Sequence, residues 1–131
     1  MLIDPAEIQK VANMFFNAAH EDIAHSVNQL YEALKRKEKA PIDELLEEMI
    51  FEIVDHFEME EEMMKDSEFF GYPMHKAEHD QMRKELYELS EEWKSSRDIE
   101  KLRTFLEEKL VPWLKLHVAQ WDSITATHIG D

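Results

Sequence analysis

Apolar residues recur at intervals of three and four along four separate stretches of this chain. The first is Ile8, Val11, Phe15, Ala19, Ile23, Val27, Leu30 and Leu34, the signature of a helix with one buried face. Asp4-Pro5-Ala6-Glu7 precedes it as N-cap, proline at the first helical position and acid at the third. A first helix is therefore predicted from about Pro5 to about Lys35, with a break or projection expected before Asn17. "KRKEKAP" closes it with cations suited to a helix C-terminus, and Pro41 with Asp43 opens a second helix. That helix carries Leu45, Ile50, Ile53, Val54 and Phe57 and is expected to end near Lys65. Gly71 and Pro73 mark the start of a third, with Met74, Met82, Leu86, Leu89 and Trp93. After "SSRD" a fourth carries Leu102, Phe105, Leu106 and Leu110, and Pro112 predicts a kink between Glu108 and Pro112 because it lacks an N–H and crowds the preceding turn. Four helices with short connections predict an all-α, antiparallel up-down-up-down four-helix bundle.

Composition narrows the function classes. The 131 residues make one domain, with only 2 Gly and 4 Pro, and the net charge of −15 repels nucleic acid and anionic membrane surfaces at long range. No cysteine is present, which excludes thiolate metal sites and thiol chemistry and suits a reducing compartment. The opening "MLIDPAEIQK" has no basic-then-apolar leader pattern, and no apolar run approaches a membrane span. A soluble, cytoplasmic and monomeric protein is expected.

The histidines carry the chemistry. His75 with His79, and His56 with Glu60, are four apart and so share a helix face. Either pair alone reads more readily as a solvated surface pair than as a metal site. In antiparallel neighbours, however, residues at one level are equidistant from the connecting loop. His20 and His56 have their midpoint at 38, inside "KRKEKAP"; the two pairs, centred at 58 and 77, meet at 67.5; 77 and His117 meet at 97, inside "SSRD". One layer of the bundle thus collects ligands from all four helices. Five imidazoles with a carboxylate partner already exceed the roughly four ligands of one zinc, and mixed nitrogen and oxygen ligation of two redox-active ions suits iron. His25 competes with His20 for the first position, but the two lie about 140° apart around the helix; His20 is preferred. His128 is expected in a tail, and Glu58, Glu61, Glu62 and Glu78 in solvent. Met59, Met63, Met64, Met74 and Met82 are expected to fill the core.

These residues resemble the hemerythrins, among them the stand-alone bacteriohemerythrins. The resemblance rests on His20-x-x-Ile23 with Asn28 and Leu30, and on His56-Phe57-x-x-Glu60-Glu61 with Met64. It continues through Gly71-Tyr72-Pro73 with His75 and His79, then Trp113-Leu114-x-x-His117-Val118 and Asp122. It implies two iron ions with an oxo or hydroxo bridge. His75, His79 and His117 would bind one, His20 and His56 the other, and Glu60 and Asp122 would bridge them. The two-histidine iron would keep a position open for O2. The single domain, 1–131, would divide into an N-terminal helical extension over about 1–16, a metal-binding bundle over 17–122 and a tail over 123–131. His117 and Asp122 are five apart, about 140° in an ideal helix, so a loosening toward π geometry is expected at about Val118 to Trp121.

The implied function is reversible O2 binding rather than catalysis, with Ile23, Phe57, Trp113, Leu114 and Val118 as an apolar O2 pocket. The alternative is a di-iron redox or O2 sensor, or an enzyme handling peroxide or nitric oxide. A ferritin-like oxidase is disfavoured because no histidine follows a glutamate at i+3. "HEDIAH" spaces its histidines by five, so it is not the zinc-protease motif, which needs four.

Overall fold

The computed structural model describes residues 1–130, leaving Asp131 of the expected tail outside the described residues. Helix α1 spans Met14–Lys35, α2 Ile42–Asp66 and α3 Tyr72–Ser96. The fourth helix, α4, occupies 99–129: α-helical over Ile99–Phe105, Val111–His117 and Ser123–Ile129, and π-helical over Leu106–Leu110 and Val118–Asp122. The connections are as short as expected, and the predicted antiparallel bundle is the fold. Among the described residues, no helix is long and apolar enough to cross a membrane.

The helix boundaries follow from local chemistry. The Asn13 side chain caps α1 by accepting from the N–H groups of Phe15 and Phe16 at 2.9 and 3.1 Å. Lys37 and Glu68 adopt left-handed backbone after α1 and α2, and the N–H of Glu38 and Phe69 close back onto Ala33 and Met64. A Cβ on Gly71 would stand 2.8 Å from the Phe69 ring, so the residue before α3 must be glycine while that ring stays buried. Asp98 caps α4 through the N–H groups of Glu100 and Lys101. At Pro112 the helix does not break. The π turn just before it carries the Val111 N–H to the Leu106 carbonyl and absorbs the ring that a regular turn would reject.

The N-terminal segment departs from expectation. Asp4 and Glu7 do form the capping box, but it starts a single 3-10 turn, Pro5–Glu7, and Ile8 returns to extended backbone. Two asparagines explain why the helix does not propagate. The Asn28 side chain accepts from Ile3 N–H at 2.9 Å and donates to Ile3 C=O at 2.8 Å; Asn17 does the same for Val11 at 2.9 and 2.9 Å. The arm's backbone is thus satisfied from α1, while Ile3 and Ile8 enter the core. Residues 1–16 are an extended strap with the first turn of α1, not a helical extension. Asn28→Ala is expected to leave both Ile3 groups unpaired and cost about 1–3 kcal/mol. Chemical denaturation and faster amide exchange at Ile3 would show it, and unchanged exchange would remove Asn28 as the clamp.

Helix phase also differs from the apolar pattern in places. Phe16 is fully buried and Phe15 is 61% exposed, so α1 presents Phe16, His20, Ile23 and Val27 inward. On α2 the buried stripe is Leu46, Met49, Ile53, His56, Phe57, Glu60 and Met64, with Leu45, Ile50 and Val54 at its edge. Met74 on α3 is 66% exposed rather than core, and that stripe runs His75, His79, Met82, Leu86. The bundle therefore has two halves. Leu34, Ile42, Leu46, Leu86, Trp93, Leu102 and Leu106 form an apolar core toward the α1–α2 and α3–α4 turns. Polar residues fill the half where α1 begins, α2 ends, α3 begins and α4 ends.

Candidate metal centre

All seven residues singled out as ligands meet in that second half, each 4% exposed or less. Their positions follow from the elements. His20 lies on the second turn of α1, His56 and Glu60 one turn apart on α2, and His75 and His79 on the first two turns of α3. His117 and Asp122 flank the second π turn of α4, which falls where the five-residue spacing requires it and brings both onto the inner face. His25 is exposed on α1, leaving His20 as the inward histidine.

The donor atoms form two overlapping groups: Glu60, His75, His79, His117 and Asp122, and His20, His56, Glu60 and Asp122. Within each group the atoms lie within 4.8 Å of one another. Each carboxylate divides its two oxygens between the groups. Glu60 turns Oε1 to His75 Nε2 (3.2 Å) and His79 Nε2 (3.4 Å), and Oε2 to His56 Nε2 and to His20 Nε2 at 3.9 Å. Asp122 turns Oδ1 to His75 Nε2 (3.0 Å) and His117 Nε2 (3.1 Å), and Oδ2 to His20 Nε2 (2.9 Å) and His56 Nε2 (4.0 Å). The two groups thus share both carboxylates, one group with three imidazoles and the other with two. Both Glu60 oxygens, Asp122 Oδ1 and the Nε2 atoms of His56 and His79 are buried without a hydrogen-bond partner. Leaving such groups unpaired costs about 1–3 kcal/mol each, and a pair of cations between them would satisfy all of them.

The chain belongs to the hemerythrin family. The family model "Hemerythrin HHE cation binding domain" matches residues 13–129, nearly the whole chain. The chain is 49% identical over 131 residues to a bacteriohemerythrin of Aquifex aeolicus (strain VF5), with 100% of both chains covered. Its fold is similar to a crystal structure of wild-type hemerythrin, with a TM-score of 0.86 at 22% identity over 100% of this chain and 98% of that one. A point variant of hemerythrin superposes with a TM-score of 0.85, at the same identity and coverage. The hemerythrin architecture accounts for both the bundle and its buried polar half.

The outer contacts contain what the sequence pattern missed. Glu61, expected in solvent, is buried, accepts a hydrogen bond from His79 Nδ1 at 2.8 Å and pairs with Arg83 at 2.7 Å. Burial opposes its charge, but the contacts from His79 and Arg83 outweigh burial and hold its carboxyl below the usual range. Glu78 is half-buried, 3.6 Å from His117 Nδ1, while Glu58 and Glu62 are exposed as expected. Thr125 Oγ1 meets His75 Nδ1 at 2.7 Å, so residues 123–129 are a working part of α4 rather than a tail. The next turn is useful too: the His128 ring reaches the Ser67 carbonyl at 3.0 Å, and Asn13 donates to Gly130 C=O at 2.8 Å.

Aromatic rings enclose the centre unevenly. Phe57 stacks on His79 (4.1 Å between centroids, 9° between planes) and Trp113 on His117 (4.4 Å, 12°), so both sheathe the three-histidine group. Phe16 meets His20 and His56 edge-on at 6.5 and 5.9 Å and walls the two-histidine group. Phe16 sits one helical turn before His20, the one signal that marks it, and Phe15 beside it obscures the choice. Ile23, Leu114 and Val118 are buried in the continuous core with Phe57, and Trp113 packs against it.

Proposed function

We propose that this protein binds O2 reversibly at a di-iron centre held by His20, His56, Glu60, His75, His79, His117 and Asp122, as a carrier or store and not as an enzyme. The reading is carried by one observation, the division of two shared carboxylates between imidazole sets of unequal size. The set with fewer donors is the one with a position to spare. The bacteriohemerythrin relative supports it. Bound iron would supply the electrons and the open position for O2. The protein's part is to hold that pair and keep water from it. Glu60 and Asp122 neutralise charge at both positions, and their fixed orientation removes the need for rearrangement when O2 arrives or leaves. Phe16, Ile23, Leu114 and Val118 give a low-polarity surround in which charge separation and water ingress are disfavoured. We further read the protein as a cytoplasmic monomer, since a net charge of −15 opposes self-association.

The test is to reduce the iron-loaded protein anaerobically, admit O2 and then remove it. A visible absorption band that appears with O2 and vanishes on its removal is expected. Immediate irreversible oxidation would instead point to a peroxide- or nitric oxide-handling enzyme or a redox sensor. Leu114, 3% exposed and one turn before His117, is expected to shield the centre. Leu114→Ala should speed autoxidation several-fold, and unchanged oxidation kinetics would remove that role.

A further inference from the structure

The two imidazole sets differ in what stands behind them as well as in number. On the three-histidine side two of the three Nδ1 atoms have a hydrogen-bond partner, Thr125 for His75 at 2.7 Å and Glu61 for His79 at 2.8 Å, while His117 Nδ1 has none and lies 3.6 Å from Glu78. On the two-histidine side the Nδ1 atoms of His20 and His56 are buried with no hydrogen-bond partner. His79 is the most constrained of the five. Glu61 holds its ring edge, Phe57 covers its face at 4.1 Å, and Arg83 ties these two together by pairing with Glu61 at 2.7 Å and lying 5.4 Å over the Phe57 ring.

We propose that Glu61, clamped by Arg83, is a positioning residue that makes the three-histidine position the first to take up a metal ion and the last to release it. A carboxylate accepting from Nδ1–H fixes the tautomer whose Nε2 lone pair points inward and makes that nitrogen a stronger donor. The ring is thereby oriented before any ion arrives, so little conformational freedom remains to be lost on binding. Five donors against four add to the same preference. His20 and His56, with no such partner, leave the O2-facing position the weaker. Loading and loss are then ordered: the weaker ion can leave without dismantling the other position. The inference rests on the di-iron reading above, and stoichiometry separates the two.

The experiment is an anaerobic titration of the chelator-stripped full chain with Co(II), followed by calorimetry and visible absorption. Wild type should take up two ions in two resolved steps. Glu61→Gln should weaken the first step by about 10–100-fold and leave the second nearly unmoved. Arg83→Gln, which keeps the carboxylate but frees it, should weaken the first step by a smaller factor. In the Zn(II)-loaded protein the His79 Nδ1 proton should be strongly deshielded and should move upfield in Glu61→Gln, a change that a purely structural role would not produce. Two equal steps in wild type would overturn the ordering, and an equal weakening of both steps by Glu61→Gln would overturn the assignment of Glu61 to the three-histidine position. An unmoved first step in Glu61→Gln would overturn the role of that residue, and one in Arg83→Gln the role of the clamp. Fewer than two ions bound by wild type would overturn the di-iron reading itself, and the ordering with it.

Discussion

Asp122→Asn is expected to lower the bound iron from about two ions per chain to about one, because an amide has one acceptor oxygen where a carboxylate has two. Asp122 faces both donor groups at once, Oδ1 toward His75 and His117 and Oδ2 toward His20 and His56. In the variant one face would carry an NH2 group, which repels a cation and donates where an acceptor is needed. The position with four donors has the least to spare and should be the one lost. Metal analysis after reduction and desalting checks this, together with the O2-linked band, which should disappear. Retention of two ions would remove Asp122 as a shared ligand. The fold should survive, since the apolar half from Leu34 to Leu106 does not touch this residue's role.

That prediction depends on a feature legible in the sequence only as a conflict. His117 and Asp122 cannot share a face of a regular helix, and the chain resolves this with the π turn Val118–Asp122. Helix ends were equally legible where turn chemistry is explicit, at "KRKEKAP", Gly71-Tyr72-Pro73 and "SSRD". Apolar periodicity failed where buried faces are polar. On α2 the inward stripe includes His56 and Glu60, so a pattern counted from Leu45, Ile50 and Val54 drifts to the stripe's edge. The arm before α1 failed for a different reason. Its capping box is genuine, but the side chains of Asn17 and Asn28, distant in sequence from Ile3 or across a turn from Val11, take over its backbone groups. Glu61 was hidden because its burial depends on Arg83 and His79 from another helix, which no spacing along α2 reveals.

The outer contacts and the centre together set the behaviour of the metal-free protein. Burial disfavours charge on His56, but the Glu60 and Asp122 carboxylates outweigh it and push its pKa up to about 10. His75 rises to about 9 against the same burial penalty, through its contacts with the Asp122 and Glu60 carboxylates. Glu60 and Asp122 are held low despite burial, Glu60 chiefly by His56 and Asp122 by His117, His20, His56 and His75. Without metal, protons therefore do the work of cations between the carboxylates.

Stripped of metal, the protein is accordingly expected to lose about 10 °C in thermal midpoint between pH 7 and pH 10. Imidazoles whose folded-state pKa is raised contribute stability that is complete below their unfolded value, near 6.5, and vanishes as the pH passes the folded values of about 9 and 10. Beyond that, two buried carboxylates share one small space without compensation. On the acid side the depressed carboxylates contribute stability above their unfolded values, near 4, which is lost as the pH falls through their lowered folded values. The metal-loaded protein should behave differently, because bound ions require neutral imidazoles and are displaced by protons. Its midpoint should stay level from pH 7 to pH 10 and fall, with release of metal, below about pH 6. Calorimetric scans of both forms across this range decide it. A metal-free midpoint that is level or rises from pH 7 to pH 10 would mean that the imidazoles are not charged in the folded chain, and that proton-for-metal exchange is not what prepares the centre.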